Sequence, residues 1–152
     1  MLLTEFNTAD TSDVRPLLAE CLAVPRWADA VLAGRPYADL DALQAAADLP
    51  LSSDEIRQAM AAHPRIGEKP AGGWARSEQS GVDNSDAFTA ANAEYEAKFG
   101  HVYLVCASGR SGDELLKILR ERLGNDPATE LAIAGRELVK IASLRLAKAV
   151  TA

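Results

Sequence analysis

Ser52-Ser53-Asp54-Glu55-Ile56-Arg57-Gln58-Ala59-Met60-Ala61-Ala62-His63-Pro64-Arg65-Ile66-Gly67-Glu68 reads as a helix with a marked start and an abrupt exit. Ser52 is the N-cap, Glu55 completes an S-x-x-E capping box, and Asp54 adds negative charge to the first turn. Pro64 disfavours the α region for the residue before it, so the helix should stop at or near His63. One of only two imidazoles in 152 residues is thereby left at a helix C-terminus. The negative end of the dipole there favours its protonated form, which suits a group that moves a proton near neutral pH. The same placement also suits a histidine that only caps its helix.

Working outward, the pattern is helical almost throughout. Thr8 to Cys21 carries Val14, Leu17, Leu18 and Cys21 at three- and four-residue spacing, with Pro16 expected in the first turn. A short helix from Arg26 to Ala33 follows Pro25 and ends near Gly34. Asp39 or Asp41 caps the next one, which Pro50 stops. Beyond His63 comes the longest irregular stretch, about Pro64 to Asn84, and loops of this length inside a compact domain are more often functional than not. Helix resumes from Asp83 or Ser85 to Phe99, with Gly100 as its C-cap. His101 to Cys106 is β-like, but no second strand matches it, so a buried extended or helical segment crossing the core is expected. Ser111 or Asp113 opens a further helix through Leu123, closed by Gly124-Asn125. Asp126-Pro127 starts the last one, which runs to about Lys148. The expectation is an all-α chain, residues 1–152, folded as a single domain.

Composition narrows the function classes. Hydrophobic residues make up 48% and aromatics only 5%, so the core is built mainly from Leu, Ala, Ile and Val. A net charge of −6 argues against general nucleic-acid binding, which needs a basic stripe against phosphates. Nothing resembles a signal peptide or reaches the roughly 18 apolar residues of a membrane span. Cys21 and Cys106 are far apart and in no metal-like spacing, which fits a reduced, cytoplasmic protein. Neither zinc-type spacing nor a phosphate-binding glycine loop occurs, so an enzyme built from this chain is expected to work without metal or organic cofactor.

Three further features can carry chemistry. On the last helix, Leu131, Ala134, Leu138 and Ile141 form an apolar stripe whose next position is Arg145. A buried guanidinium must find an anion or reach solvent. Arg145 therefore either pairs internally, with Glu78 or Glu94, or snorkels outward, or grips a carboxylate or urea-like substrate as a two-pronged fork. Glu78-Gln79 offers acceptors and donors suited to a nitrogen-rich heterocycle, although such a pair is common on helix surfaces. Ala107-Ser108-Gly109-Arg110-Ser111 presents backbone N–H groups ahead of a helix, either to an anion or simply as a capped loop.

Taken together, His63-Pro64-Arg65-Ile66-Gly67-Glu68, Ser77-Glu78-Gln79, Phe99 to Ser111 and Glu137-Leu138-x-x-Ile141-x-x-Leu144-Arg145-Leu146 occur in an order that resembles the 2-oxo-4-hydroxy-4-carboxy-5-ureidoimidazoline (OHCU) decarboxylase family. The resemblance extends from Phe6-Asn7 to the last helix. It implies an all-α multi-helix bundle, usually a homodimer, that converts its ureidoimidazoline to (S)-allantoin without a cofactor. His63 and Glu78 would then be catalytic, and Pro64, Ala75, Gln79, Val105, Cys106, Ala107, Ser108 and Arg145 would bind substrate. Two positions depart from the pattern. Ala75 stands where serine is common, so that hydroxyl contact is missing or comes from Ser77 or a water. Ser108 stands where some members carry arginine, with Arg110 as the substitute. The competing expectations are a non-enzymatic helical interaction module and another cofactor-free ureide enzyme.

Overall fold

The computed structural model describes residues 1–62 and 86–152, which form eight helices and no strand. They are α1 (Leu3–Thr8), α2 (Thr11–Cys21), α3 (Pro25–Ala33), α4 (Leu40–Ala47), α5 (Ser53–Ala61), α6 (Asp86–Phe99), α7 (Gly112–Arg122) and α8 (Pro127–Ala149). Among the described residues, no helix is long and apolar enough to cross a membrane.

The helix boundaries follow local chemistry. The α5 capping box is formed: the Glu55 N–H donates to Ser52 Oγ at 3.2 Å, and the Ser52 N–H donates to Glu55 Oε1 at 2.9 Å. Asp39 caps α4 by accepting from the Ala42 N–H at 2.8 Å, so Asp39 and not Asp41 is the cap. Ser111 caps α7 by accepting from the Glu114 N–H at 3.2 Å. Gly100 follows α6 with φ +76, a left-handed conformation that strains any residue with a Cβ.

The first helical region departs from expectation in two ways. The chain makes a separate α1 and breaks at Ala9-Asp10 before α2 begins. Pro16 is consequently the sixth residue of α2 and not part of its first turn. Its missing N–H leaves the Ser12 carbonyl without its intrahelical donor, and both residues are exposed, so water can take that bond.

The described chain falls into two compact units, Met1–Ala59 with Leu138–Ala152, and Met60–Glu137. In the first, Phe6, Val14, Leu18, Trp27, Val31, Leu43, Ala142 and Leu146 are buried to 1% exposure or less. Each such Leu or Val contributes about 1.5–3 kcal/mol relative to an exposed one. Trp27 satisfies its indole N–H on the Ala47 carbonyl at 2.9 Å, joining α3 to the end of α4. Asn7 brackets the Tyr37 peptide, donating to its carbonyl at 2.9 Å and accepting from its N–H at 2.8 Å. The chain ends meet as well: the Leu3 N–H donates to the Thr151 carbonyl at 2.8 Å.

In the second unit, Phe88, Ala91, Tyr95, Tyr103, Val105, Leu115 and Leu119 form one apolar cluster. The 101–106 run passes through it as an irregular buried segment rather than a strand.

Candidate functional site

The segment that carries Val105, Cys106, Ala107 and Ser108 is placed by side chains, not by a regular backbone ladder. Tyr103, Leu104 and Val105 are buried, Cys106 and Ala107 are half-buried, and Ser108 is exposed. The Tyr103 hydroxyl donates to the Leu115 carbonyl at 3.1 Å and sits edge-on to Tyr95, with ring centroids 5.4 Å apart. His101 packs against Tyr95 and Phe99 at 5.6 and 6.1 Å, and its Nδ1 lies 3.1 Å from the Val102 carbonyl. A turn then closes through the Arg110 N–H, which donates to the Ala107 carbonyl at 3.1 Å. Gly109 supplies the positive φ, +75, that the third position of such a turn demands. Among the described residues, no acceptor meets the backbone N–H groups from Val102 to Ser108.

Behind the segment lies a polar cluster that the sequence reading did not single out. Glu130 is fully buried and Arg122 is 6% exposed. Arg122 Nε donates to Glu130 Oε1 at 2.6 Å, and Nη2 pairs with the same oxygen. The Tyr95 hydroxyl donates to that oxygen at 2.6 Å, and Asn125 Nδ2 donates to Oε2 at 3.2 Å. The remaining arm of the guanidinium, Nη1, donates to the Leu104 carbonyl at 2.6 Å. Its carbon also lies over the Tyr103 ring, 5.0 Å from the centroid. Burial pulls the Arg122 pKa down, but the Glu130 carboxylate outweighs it and leaves the group firmly charged. Burial first, and then the bond to Glu130, push the Tyr95 phenol well above its ordinary value. One signal was available: Glu130 and Glu137 fall on the same face of α8 as Ala134, Leu138 and Ile141, and both are buried.

Arg145 is buried, 8% exposed, so it does not snorkel outward. Its Nη1 donates to the Glu20 carbonyl at 3.1 Å and the Cys21 carbonyl at 3.4 Å, at the C-terminal end of α2. A cation there satisfies carbonyls that have no intrahelical donor and meets the negative end of the helix dipole. One arm of the guanidinium is thus held by backbone, an option absent from the sequence expectations.

Of the site residues expected from sequence, His63, Pro64, Ala75, Glu78 and Gln79 lie outside the described residues. Val105 to Ser108 belong to one segment of the second unit, and Arg145 belongs to the first. Cys21 and Cys106 are not joined in a disulfide. Among the described residues, no group of three or more His, Cys, Asp or Glu side chains is placed to hold a metal ion.

Comparison with known proteins gives a consistent result. The sequence model of the OHCU decarboxylase family matches residues 7–147. The chain is 34% identical over 139 residues to the 2-oxo-4-hydroxy-4-carboxy-5-ureidoimidazoline decarboxylase of Amia calva, covering 80% of this chain and 78% of that protein. It is 33% identical over 144 residues to the uric acid degradation bifunctional protein TTL of Arabidopsis thaliana, covering 84% of this chain but only 44% of that longer protein. A crystal structure of OHCU decarboxylase in the presence of (S)-allantoin matches with a TM-score of 0.71 and 31% identity, over 86% of this chain and 94% of that one. The crystal structure of (S)-allantoin synthase matches with a TM-score of 0.71 over 99% of this chain and 54% of that one, and at 17% identity bears on the fold alone.

Proposed function

We propose that this chain, which belongs to the OHCU decarboxylase family, catalyses decarboxylation of 2-oxo-4-hydroxy-4-carboxy-5-ureidoimidazoline to (S)-allantoin in urate degradation. The observation that carries the reading is the family match over residues 7–147, which runs through every candidate site residue. Because that match spans both compact units, 1–152 is treated as a single domain of the family type.

The chemistry asks for few groups. Carbon dioxide leaves from the ring carbon that carries both hydroxyl and carboxylate, and the bonding pair flows into the adjacent C=N bond. The enzyme must hold the carboxylate out of the ring plane and supply a proton to the nitrogen of that C=N bond as it receives the electrons. It must also move the hydroxyl proton to the former C=N carbon from one face, leaving a carbonyl where carbon dioxide left. His63 serves as the proton shuttle, since an imidazole ordinarily exchanges a proton near neutral pH. Glu78 orients the imidazole or the ring N–H groups, while Gln79 and Pro64 line the pocket beside Ala75. Arg145 grips an anionic or urea-like group, and Val105 to Ser108 offer backbone contacts. No step calls for a metal or organic cofactor. The proposal includes a homodimer in the cytoplasm, consistent with two cysteines that form no disulfide, and no nucleic-acid or membrane partner.

The test is to incubate purified protein with freshly generated OHCU, following its absorbance and the optical rotation of the product. Accelerated loss with (S)-selective product is expected. Spontaneous, racemising decay at an unaltered rate would instead favour a helical interaction module.

A further inference from the structure

We propose that Arg122, backed by Glu130, is a positioning residue that fixes and polarises the Leu104–Val105 peptide so that the Val105 N–H is a preset donor to substrate. This rests on the decarboxylase reading for the substrate, but the anchoring itself rests on geometry within the second unit. A peptide unit is planar and trans, so its C=O and N–H point in opposite directions. Arg122 Nη1 holds the Leu104 carbonyl at 2.6 Å. The Val105 N–H, on the opposite edge of that peptide, is therefore directed away from Arg122, and among the described residues no acceptor meets it.

Three features make the grip rigid. The guanidinium is planar, its Nε donates to Glu130, and Nη2 lies within ion-pair distance of the same oxygen, so Nη1 has little freedom to turn. Glu130 is held in turn by the Tyr95 hydroxyl at 2.6 Å and by Asn125 at 3.2 Å. Tyr103, the residue before the gripped peptide, is pinned by its own bond to the Leu115 carbonyl and lies beneath the Arg122 cation. A carbonyl that accepts from a cation draws electron density through its amide and makes the linked N–H a stronger donor. Glu130 supplies the opposite charge, so the arrangement stays nearly neutral within the core. A buried ion pair often stabilises no better than apolar side chains of the same volume, so its use here is better accounted for by placement than by stability.

Arg122→Lys keeps the charge but cannot serve Leu104 and Glu130 together with one planar fork. A triple variant, Arg122→Met, Glu130→Leu and Tyr95→Phe, replaces the whole network by apolar groups. Melting curves establish that each is folded, and if the triple variant fails to fold, Arg122→Lys alone decides. Two readouts are then compared with wild type: amide hydrogen exchange at Val105, and KM and kcat for OHCU. Exchange at Val105 should rise about tenfold while the helix amides stay protected. KM should rise about tenfold, with a smaller change in kcat. A folded Arg122→Lys with wild-type exchange at Val105, or with wild-type KM, overturns the proposal. Wild-type protein that leaves OHCU decay unaltered would overturn the catalytic reading instead, and exchange would then decide the anchoring by itself.

Discussion

Arg122 and Arg145 are buried to nearly the same degree, 6% and 8% exposed, and each bonds a different kind of group within its own unit. Arg122 meets a fully buried carboxylate, with a tyrosine and an asparagine completing the shell. Arg145 meets the backbone carbonyls of Glu20 and Cys21 at the end of α2. A carboxylate both orients a guanidinium and cancels its charge, whereas a carbonyl at a helix end orients it and adds only a partial negative charge. Burial of an arginine therefore does not by itself say whether it works for the fold or for a ligand. The chemistry of its partner does.

The comparison breaks most readily at Arg122. Arg122→Ala leaves Glu130 as an uncompensated buried charge, and we expect a loss of about 3–5 kcal/mol in urea or thermal unfolding. A loss below about 1 kcal/mol would mean that Glu130 is readily protonated or hydrated in the native state, and the contrast with Arg145 would collapse.

His63 supplies a reference for a group with a chemical rather than a structural task. His63→Asn should fold normally and lower activity by at least about two orders of magnitude, the usual scale for a general acid–base group. Unchanged turnover in a variant of normal stability would remove it from the mechanism. His101, wedged between Tyr95 and Phe99, is the control, and its replacement should lower the melting temperature more than it alters turnover.

Arg145→Lys sharpens the comparison from the other side. An ammonium can still bond one α2 carbonyl, so stability should fall only modestly, while the two-pronged geometry is lost. We expect kcat/KM to fall by about 1.5–3 kcal/mol, mainly through KM. Wild-type kinetics in this variant would make Arg145 a helix-capping cation and nothing more.

What was legible in the sequence was local. Ser52 with Glu55, Asp39, Ser111 and Gly100 each act on a backbone group within a few residues, and each does so in the structure. The apolar stripe of α8 was legible too, and it exposed Arg145 as an anomaly. Glu130 escaped notice because an acidic residue in a first helical turn has an ordinary explanation in the helix dipole. Its actual partners, Arg122 and Tyr95, are 8 and 35 residues away, and no short-range pattern joins them. The break at Ala9-Asp10 was hidden for a related reason. The spacing of Val14, Leu18 and Cys21 fixes which face is buried but not where the helix begins.

A third arginine sets the lower end of the scale. Arg26 pairs with Glu55 through Nε and Nη2 at 2.9 and 2.8 Å, the same chemistry as Arg122 with Glu130, but at the surface. The Arg26 bonds, with the Ser52 N–H behind them, lower the Glu55 carboxyl from 4.5 to about 2. A carboxyl whose folded pKa is depressed favours the native state when ionised. Its contribution is therefore complete above about pH 4.5 and fades as pH falls towards 2. Solvent screening keeps that contribution well below that of the buried pair. Glu55→Gln isolates the charge, because the amide oxygen can still accept from Ser52 and preserve the capping box. The variant should melt slightly below wild type at neutral pH, and the gap should close as pH is lowered through this window or as salt is added. A gap that stays constant across pH would assign the effect to lost geometry rather than lost charge, and the surface pair could no longer stand as the screened counterpart of Arg122 and Glu130.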